Sequence, residues 1–139
     1  MVVSTQEDFH SALFGNAKDA RASVEAILLW PNAGGSGEPA AFALFFPNFS
    51  TFLGKRGLYL EDLFVEPAHR GQGYGKALLI HLARLAVERG CGRFEWAVLD
   101  WNIAAQAFYE RLGAKVLPDW RITRVTGDAL TKLAGLGVE

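Results

Sequence analysis

Apolar residues recur along the chain in runs whose spacing alternates between that of strands and that of helices. Six runs predict strands, because they are rich in aromatic and aliphatic residues and most of them end near glycine or proline. These runs are residues 22–30, 40–46, 57–65, 94–99, 114–117 and 120–125. A loop rich in glycine and proline, residues 31–39, joins the first two runs, so we expect them to form an antiparallel hairpin within one domain.

Four helices are predicted between and around these strands. The clearest helix follows the third strand and carries apolar residues at helical spacing on one face. Those residues are Leu78, Leu82, Leu85 and Ala86. A capping box of Ser4 and Glu7 predicts a short helix near the N-terminus, and two more helices are expected over residues 104–112 and 128–133. Strands and helices in this order predict an α+β domain built on one mixed sheet.

Length, composition and charge narrow the class of protein. With 139 residues, half of them hydrophobic, the chain is expected to form one domain over residues 1–139. A net charge of −1 gives no basic surface for nucleic acid. Cys91 is the one cysteine and the histidines lack ligand spacing, so neither a disulfide nor a metal site is expected. Because no signal peptide and no apolar run of about 20 residues is evident, a cytoplasmic protein without a membrane span is expected.

A glycine-rich turn separates the third strand from the long helix. Three glycines occupy alternate positions in the run RGQGYGK, residues 70–76. Glycines there let backbone N–H groups converge, and the helix N-terminus adds partial positive charge, which together favour a phosphate ligand. The dinucleotide-binding fingerprint is not met, because it requires glycine at the position of Lys76. The P-loop motif is not met either, because it requires glycine at the position of Arg70. The alternative is a tight turn in which the glycines serve packing alone.

The pattern R-x-x-G-x-G over residues 70–75 resembles the pyrophosphate-binding signature of the GNAT acetyltransferase superfamily. Residues 58–65, 101–102 and 108–114 are similar to the diamine (spermidine/spermine) and thialysine acetyltransferase branch. The resemblance extends over residues 5–133. It implies a three-layer α+β fold with a mixed, mostly antiparallel sheet flanked by helices. It also implies acetyl-CoA as co-substrate, no metal, and a polyamine, diamine or lysine-like compound as acceptor.

The resemblance further implies which residues hold acetyl-CoA. The pantetheine arm is expected on the backbone of three strand residues, Leu63, Phe64 and Val65. The pyrophosphate is expected on the glycine-rich turn, which consists of Arg70, Gly71, Gln72, Gly73, Tyr74, Gly75 and Lys76. The start of a later helix is expected to complete the site with Asn102, Ile103, Ala104 and Ala105.

Acetyl transfer to an amine requires two proton movements. An alkylammonium with a pKa of about 10.4 must lose a proton before it attacks, and the departing thiolate benefits from gaining one. The resemblance implies that Glu61 is the base, acting through water on a directly attacking amine, and that Tyr109 is the general acid. Without the resemblance, Glu61 could be a surface charge on an edge strand and Tyr109 a packing aromatic. Strand alternation predicts that Glu61 and Asp62 point to opposite faces.

Four further side chains are candidates for contact with a cationic acceptor. Glu95 and Asp119 would act by charge, and Trp96 and Trp101 by cation–π contact. The alternative for the two acids is a solvated surface charge, and for the two tryptophans it is packing in the core.

Members of this branch begin with a strand and a long helix that have no counterpart before Ser4. Three explanations are open: a misassigned start codon, a truncated gene whose sheet edge a partner covers, or a domain that has lost catalysis. Because an uncovered edge strand favours association, a homodimer is expected. Two other functions are weighed against the enzyme. One is a non-catalytic CoA-binding module that keeps the glycine-rich turn, and the other is an adaptor that uses the aromatic hairpin of residues 42–52.

Overall fold

Four strands form one mixed sheet in the computed structural model, which describes residues 4–16, 18–19, 21–32 and 34–137. The strands lie in chain order as β1 (Glu25–Leu29), β2 (Ala41–Ser50), β3 (Lys55–Val65) and β4 (Arg93–Trp96). Both pairings of β2 are antiparallel, whereas β3 and β4 run parallel. The predicted hairpin and the mixed, mostly antiparallel sheet are therefore confirmed. Ala33, in the tip of that hairpin, lies outside the described residues.

The described residues contain four α-helices, and all four predicted helices are found. They are α1 (Gln6–Phe14), α2 (Tyr74–Glu88), α3 (Ile103–Arg111) and α4 (Gly127–Ala134). The predicted capping box is one residue out of place, because α1 begins at Gln6 and its third residue is Asp8. The Thr5 hydroxyl accepts from the Asp8 N–H, and the Asp8 carboxylate accepts from the Thr5 N–H. Over the described ranges, no helix is both long enough and apolar enough to cross a bilayer.

Helix α2 packs on the sheet, and the core lies between them. The apolar residues buried on these elements are Ala41, Ala43, Leu44, Phe45, Leu58, Leu60, Leu78, Leu79, Leu82 and Ala86. Beyond the end of α2, the Arg89 guanidinium forms two hydrogen bonds of 2.7 Å with the Glu25 carboxylate on β1. This ion pair joins the C-terminal end of the helix to the edge strand. The apolar face that predicted α2 is thus the face that it buries.

The pairing of β2 with β3 contains a bulge at Glu61. Leu44 pairs with Asp62 and Phe45 pairs with Leu60, so Glu61 has no residue opposite it. Leu44 and Phe45 are neighbours on β2, so their side chains point to opposite faces of the sheet. Their partners Asp62 and Leu60 therefore also point to opposite faces, although they are two residues apart. The alternation predicted for the two acidic residues assumes a regular strand, and the bulge interrupts that regularity between Leu60 and Asp62. Asp62 shares a face with Tyr59, and the extra residue of the bulge is the reason.

The two strands predicted nearest the C-terminus are not formed. Residues 114–117 and 120–125 carry no ladder hydrogen bonds, although their composition suits strands. That prediction is wrong because strand-forming residues become a strand only when a neighbouring strand pairs with them. Contacts divide the chain into two units, Met1–Ala97 and Val98–Glu139. The sheet, α1 and α2 belong to the first unit, and α3 and α4 belong to the second. A single domain over the whole chain stays a prediction.

Candidate active site

The glycine-rich turn exposes the N-terminus of α2. Gly71 and Gly73 have φ angles of 78° and 84°, a region that residues with a Cβ rarely adopt. Gly73 is the N-cap of α2, and no side chain of the described chain caps the helix there. The first N–H groups of the helix therefore lack an acceptor within it, and the helix dipole adds partial positive charge. This geometry suits an anion such as a pyrophosphate.

Gly75 brings the first turn of α2 against the end of β3. A Cβ built at Gly75 would lie 3.6 Å from a methyl carbon of Leu63 and 3.9 Å from one of Val65. The turn and the strand end are thus in side-chain contact distance of each other. The structure brings together the two stretches of the first unit that the resemblance assigned to acetyl-CoA.

Half of β3 is open on the side that faces β4. The parallel pairing with β4 covers only Gly57–Leu60, and along Glu61–Val65 no described strand pairs on that side. Backbone groups of an open edge can hydrogen-bond an extended ligand in the way a further strand would. The carbonyl oxygen of Val65 is an exception, since it accepts a hydrogen bond of 3.0 Å from Arg70 Nε.

Two carboxylates stand at the bulge, where the open half of β3 begins. Glu61 and Asp62 are both exposed. Bulges frequently redirect side chains beside functional sites. Together the two carboxylates form a negatively charged patch that suits a cationic group. Asp62 is missing from the predicted site residues, because regular alternation gives no sign of an extra residue in the strand.

Glu95 on β4 is a paired carboxylate. Arg93 Nε lies 2.8 Å from Glu95 Oε1, and Asn48 Nδ2 donates to the same oxygen at 3.2 Å. Glu95 is half-buried and pairs in register with Tyr59. Because Arg93 offsets its charge, Glu95 attracts a cationic acceptor less strongly than a free carboxylate would. Neither partner of Glu95 was predicted, although the spacing of Arg93 two residues before Glu95 on a strand indicates a shared face.

The start of α3, in the second unit, is held by side-chain caps. Asn102 is the N-cap, and its Oδ1 accepts from the Ala105 N–H at 3.2 Å. Gln106 Nε2 donates to the carbonyls of Leu99 and Asp100, each at 3.0 Å. Ile103 and Ala104 are exposed, so the surface of this helix start is open to a ligand.

Tyr109 lies further along α3 and is half-buried. Its ring centre is 5.7 Å from that of Phe108. Burial raises the pKa of the Tyr109 hydroxyl above its ordinary value of 10.0, because the charged phenolate is less well solvated there. The hydroxyl therefore keeps its proton at neutral pH, as a general acid must.

The remaining acceptor candidates have different surroundings. Trp96 is half-buried, and its ring centre lies 4.8 Å from that of Phe94. Trp101 is 70% exposed, so core packing is the wrong explanation for it. Asp119 is exposed in a segment without regular structure.

Residues 4–114 match the profile described as the acetyltransferase (GNAT) family. This chain belongs to the GNAT family. The L-ornithine N5-acetyltransferase of Arabidopsis thaliana is 50% identical over 99 residues, which are 71% of this chain and 43% of that protein. The thialysine N-epsilon-acetyltransferase of Bos taurus is 35% identical over 139 residues, which cover 94% of this chain and 78% of that protein.

A solved structure agrees with the GNAT fold. An integron cassette protein from the mobile metagenome of V. cholerae superposes with a TM-score of 0.73 at 27% identity, covering 96% of this chain and 80% of that one. The predicted superfamily and fold class are confirmed. The GNAT match spans the turn, β3, Glu61 and Tyr109 and stops before Asp119. This chain spans less than half the length of the Arabidopsis relative.

Proposed function

We propose that this chain transfers the acetyl group of acetyl-CoA to a primary amine of a small cationic acceptor. The observation that carries the proposal is one juxtaposition in the first unit. Strand β3 and the turn that follows it carry three features in succession. They are the carboxylates Glu61 and Asp62, the open half of the strand, and the uncapped N-terminus of α2. The anionic co-substrate requires positive charge, which the N-terminus of α2 supplies, and the cationic amine requires negative charge, which Glu61 and Asp62 supply nearby on β3. GNAT membership supports the reaction, and the ornithine and thialysine relatives support the acceptor class.

The residues present fit acetyl-CoA. The backbone N–H groups of residues 71–76, beside glycines without a Cβ, would hold the pyrophosphate. The open backbone groups of Leu63 and the N–H of Val65, which alternate along β3 with the groups that face β2, would hold the pantetheine arm. Bound acetyl-CoA supplies an acetyl group that its thioester activates.

The chain's own side chains would manage the two protons. Glu61 is exposed at the bulge, so water can reach its carboxylate and relay a proton from the ammonium group. Asp62 adds negative charge that attracts the acceptor. Tyr109 would hold a proton for the departing sulfur, because its raised pKa keeps the hydroxyl protonated.

An acetylation assay with Glu61→Gln tests this function. Free thiol release would be followed with ornithine, thialysine, lysine and spermidine as acceptors. We expect turnover above background in the wild type and a loss of about 100-fold in Glu61→Gln. The loss should shrink as pH rises toward the amine pKa, because more of the amine is then already neutral.

The control for that assay is Glu88→Gln, which removes an exposed carboxylate from the last turn of α2. It should leave turnover unchanged. Equal turnover in Glu61→Gln and Glu88→Gln would reject Glu61 as the base.

A non-catalytic CoA-binding module is the second candidate function. The turn and the open edge of β3 both lie within Met1–Ala97, and neither includes Tyr109. Binding could therefore persist in a chain that catalyses nothing. Acetyl-CoA binding without turnover on any tested amine would support this candidate.

We also propose that the protein forms a homodimer. In the described sheet β1 is an edge strand, with β2 as its one partner, and open edges favour pairing between chains. Light scattering at micromolar concentration should give twice the chain mass. A monomer mass would contradict this proposal.

A further inference from the structure

Arg70 is a cation of the glycine-rich turn, yet its side chain is directed toward the protein. Its Nε donates to the carbonyl oxygen of Val65 at 3.0 Å. Its guanidinium carbon lies 5.7 Å from the ring centre of Phe64, and that ring lies 5.7 Å from the ring of Phe42. Arg70 therefore contacts the last two residues of β3, donating a hydrogen bond to Val65 and placing its guanidinium plane over the ring of Phe64.

These contacts fix the end of β3 from a second direction. On the β2 side, the Glu66 N–H bonds the Ala40 carbonyl at 2.8 Å. On the open side, Arg70 occupies the Val65 carbonyl and covers Phe64. The backbone between Val65 and Arg70 is thereby closed into a loop by a side chain, with the short 3-10 turn Pro67–His69 inside it.

We propose that Arg70 is a positioning residue that ties the turn to the end of β3. It sets the spacing between the edge that would hold the pantetheine arm and the N–H groups that would hold the pyrophosphate. This inference rests on the proposed function, because the spacing matters only if one ligand spans both parts. It assigns the Arg70 side chain a role different from that of a phosphate ligand.

The side chains of glutamine and lysine separate the two roles. Glutamine Nε2 stands the same number of bonds from Cα as arginine Nε, so Arg70→Gln keeps the donor and loses the charge. Lysine has a methylene at that point, so Arg70→Lys keeps the charge and loses both the donor and the planar group over Phe64. Arg70→Met loses charge and donor together. A positioning role predicts that glutamine substitutes better than lysine, and a phosphate contact predicts the reverse.

Calorimetry with acetyl-CoA on the full chain tests this order, with Arg84→Gln on the exposed surface of α2 as the control. The dissociation constant should rise least in Arg70→Gln, about three- to tenfold in Arg70→Lys, and most in Arg70→Met. The salt dependence of binding should be the same in Arg70→Gln as in the wild type. Tighter binding by Arg70→Lys than by Arg70→Gln, with a shallower salt dependence in Arg70→Gln, would overturn the proposal.

Amide hydrogen exchange on the ligand-free protein gives a readout that does not depend on acetyl-CoA. Exchange over residues 63–72 should be faster in Arg70→Lys and Arg70→Met than in Arg70→Gln and the wild type. Should the wild type fail to bind acetyl-CoA, the proposed function fails, while the exchange order still decides whether Arg70 holds the strand end. Equal exchange in Arg70→Lys and Arg70→Gln would refute that role.

Discussion

The two units of this chain differ in how their structure is held. Among the described residues, all that are buried belong to Met1–Ala97. In Val98–Glu139 no described residue is buried, and Trp101, Trp120 and Ile122 are largely exposed. Burial of apolar surface is the main term that offsets the conformational entropy lost on folding. The first unit is therefore held by a core, whereas α3 of the second is half-buried over residues 105–109 and is stabilised in addition by local hydrogen bonds such as the Asn102 cap.

The difference separates binding from chemistry. The turn, the open half of β3 and Glu61 are all positioned by the first unit. Tyr109, the candidate acid, is positioned by α3 of the second. Substitutions in the second unit should therefore lower turnover without abolishing acetyl-CoA binding. Substitutions in the core of the first unit should lower stability, binding and turnover together.

The largest effect is expected from Tyr109→Phe, which keeps the ring and removes the hydroxyl. Turnover should fall about 10²- to 10⁴-fold, because no group then holds a proton for the sulfur. The acetyl-CoA dissociation constant should stay within twofold by calorimetry. In the wild type, a raised Tyr109 pKa means that the rate falls only as pH rises beyond the ordinary tyrosine value of 10.0. Unchanged turnover in the variant would end the general-acid assignment.

A pair of leucine substitutions compares the two units directly. Leu82 on α2 is 0% exposed, and Leu130 on α4 is 53% exposed. Leu82→Ala should lower the free energy of unfolding by about 2–5 kcal/mol, through lost burial and the cavity left behind. Leu130→Ala should change it by less than about 0.5 kcal/mol. Urea denaturation measures both, and similar losses would show that the second unit buries its apolar residues after all.

A smaller effect is expected at the ion pair between Glu25 and Arg89. Hydrogen bonds from Arg89 hold the pKa of Glu25 below its ordinary value of 4.5. The pair therefore contributes its full stability above that value, and the contribution is lost as pH falls through the lowered pKa. Because both side chains are partly exposed, Glu25→Gln should cost at most about 1 kcal/mol at neutral pH.

The test of that ion pair is urea denaturation of the wild type and Glu25→Gln at neutral pH and well below 4.5. The two proteins should differ only at neutral pH. A difference that persists in acid would point to packing around Arg89 and Phe45, whose ring lies 5.9 Å from the guanidinium, as the source.

Features that depend on neighbouring residues in the chain were predictable from the sequence. The spacing of Leu78, Leu82 and Ala86 predicted α2, because one apolar face is what a helix packs on a sheet. The alternating glycines predicted a turn in which backbone N–H groups converge without a Cβ in the way, and Gly71 and Gly73 have the positive φ angles that glycine allows. These features need no knowledge of a distant partner.

Features that depend on a distant partner were not predictable. The bulge at Glu61 is defined by the register of β3 against β2, which no single strand encodes. Residues 120–125 have suitable side chains but no strand beside them. The bond from Arg70 to Val65 requires the turn to fold back on the strand, so the sequence indicated only a cation near a phosphate site.

The central claim is that the turn of the first unit holds acetyl-CoA, and calorimetry on Gly73→Asp and Gly54→Asp tests it most directly. Both glycines have positive φ, 84° and 62°, with nothing within 4 Å of an added Cβ. The two variants therefore add the same charge and similar strain, one at the N-cap of α2 and one in the exposed turn between β2 and β3. The wild type and Gly54→Asp should bind with micromolar affinity, and Gly73→Asp should not bind. A folded wild type that binds nothing, or equal binding by the two variants, would contradict the account.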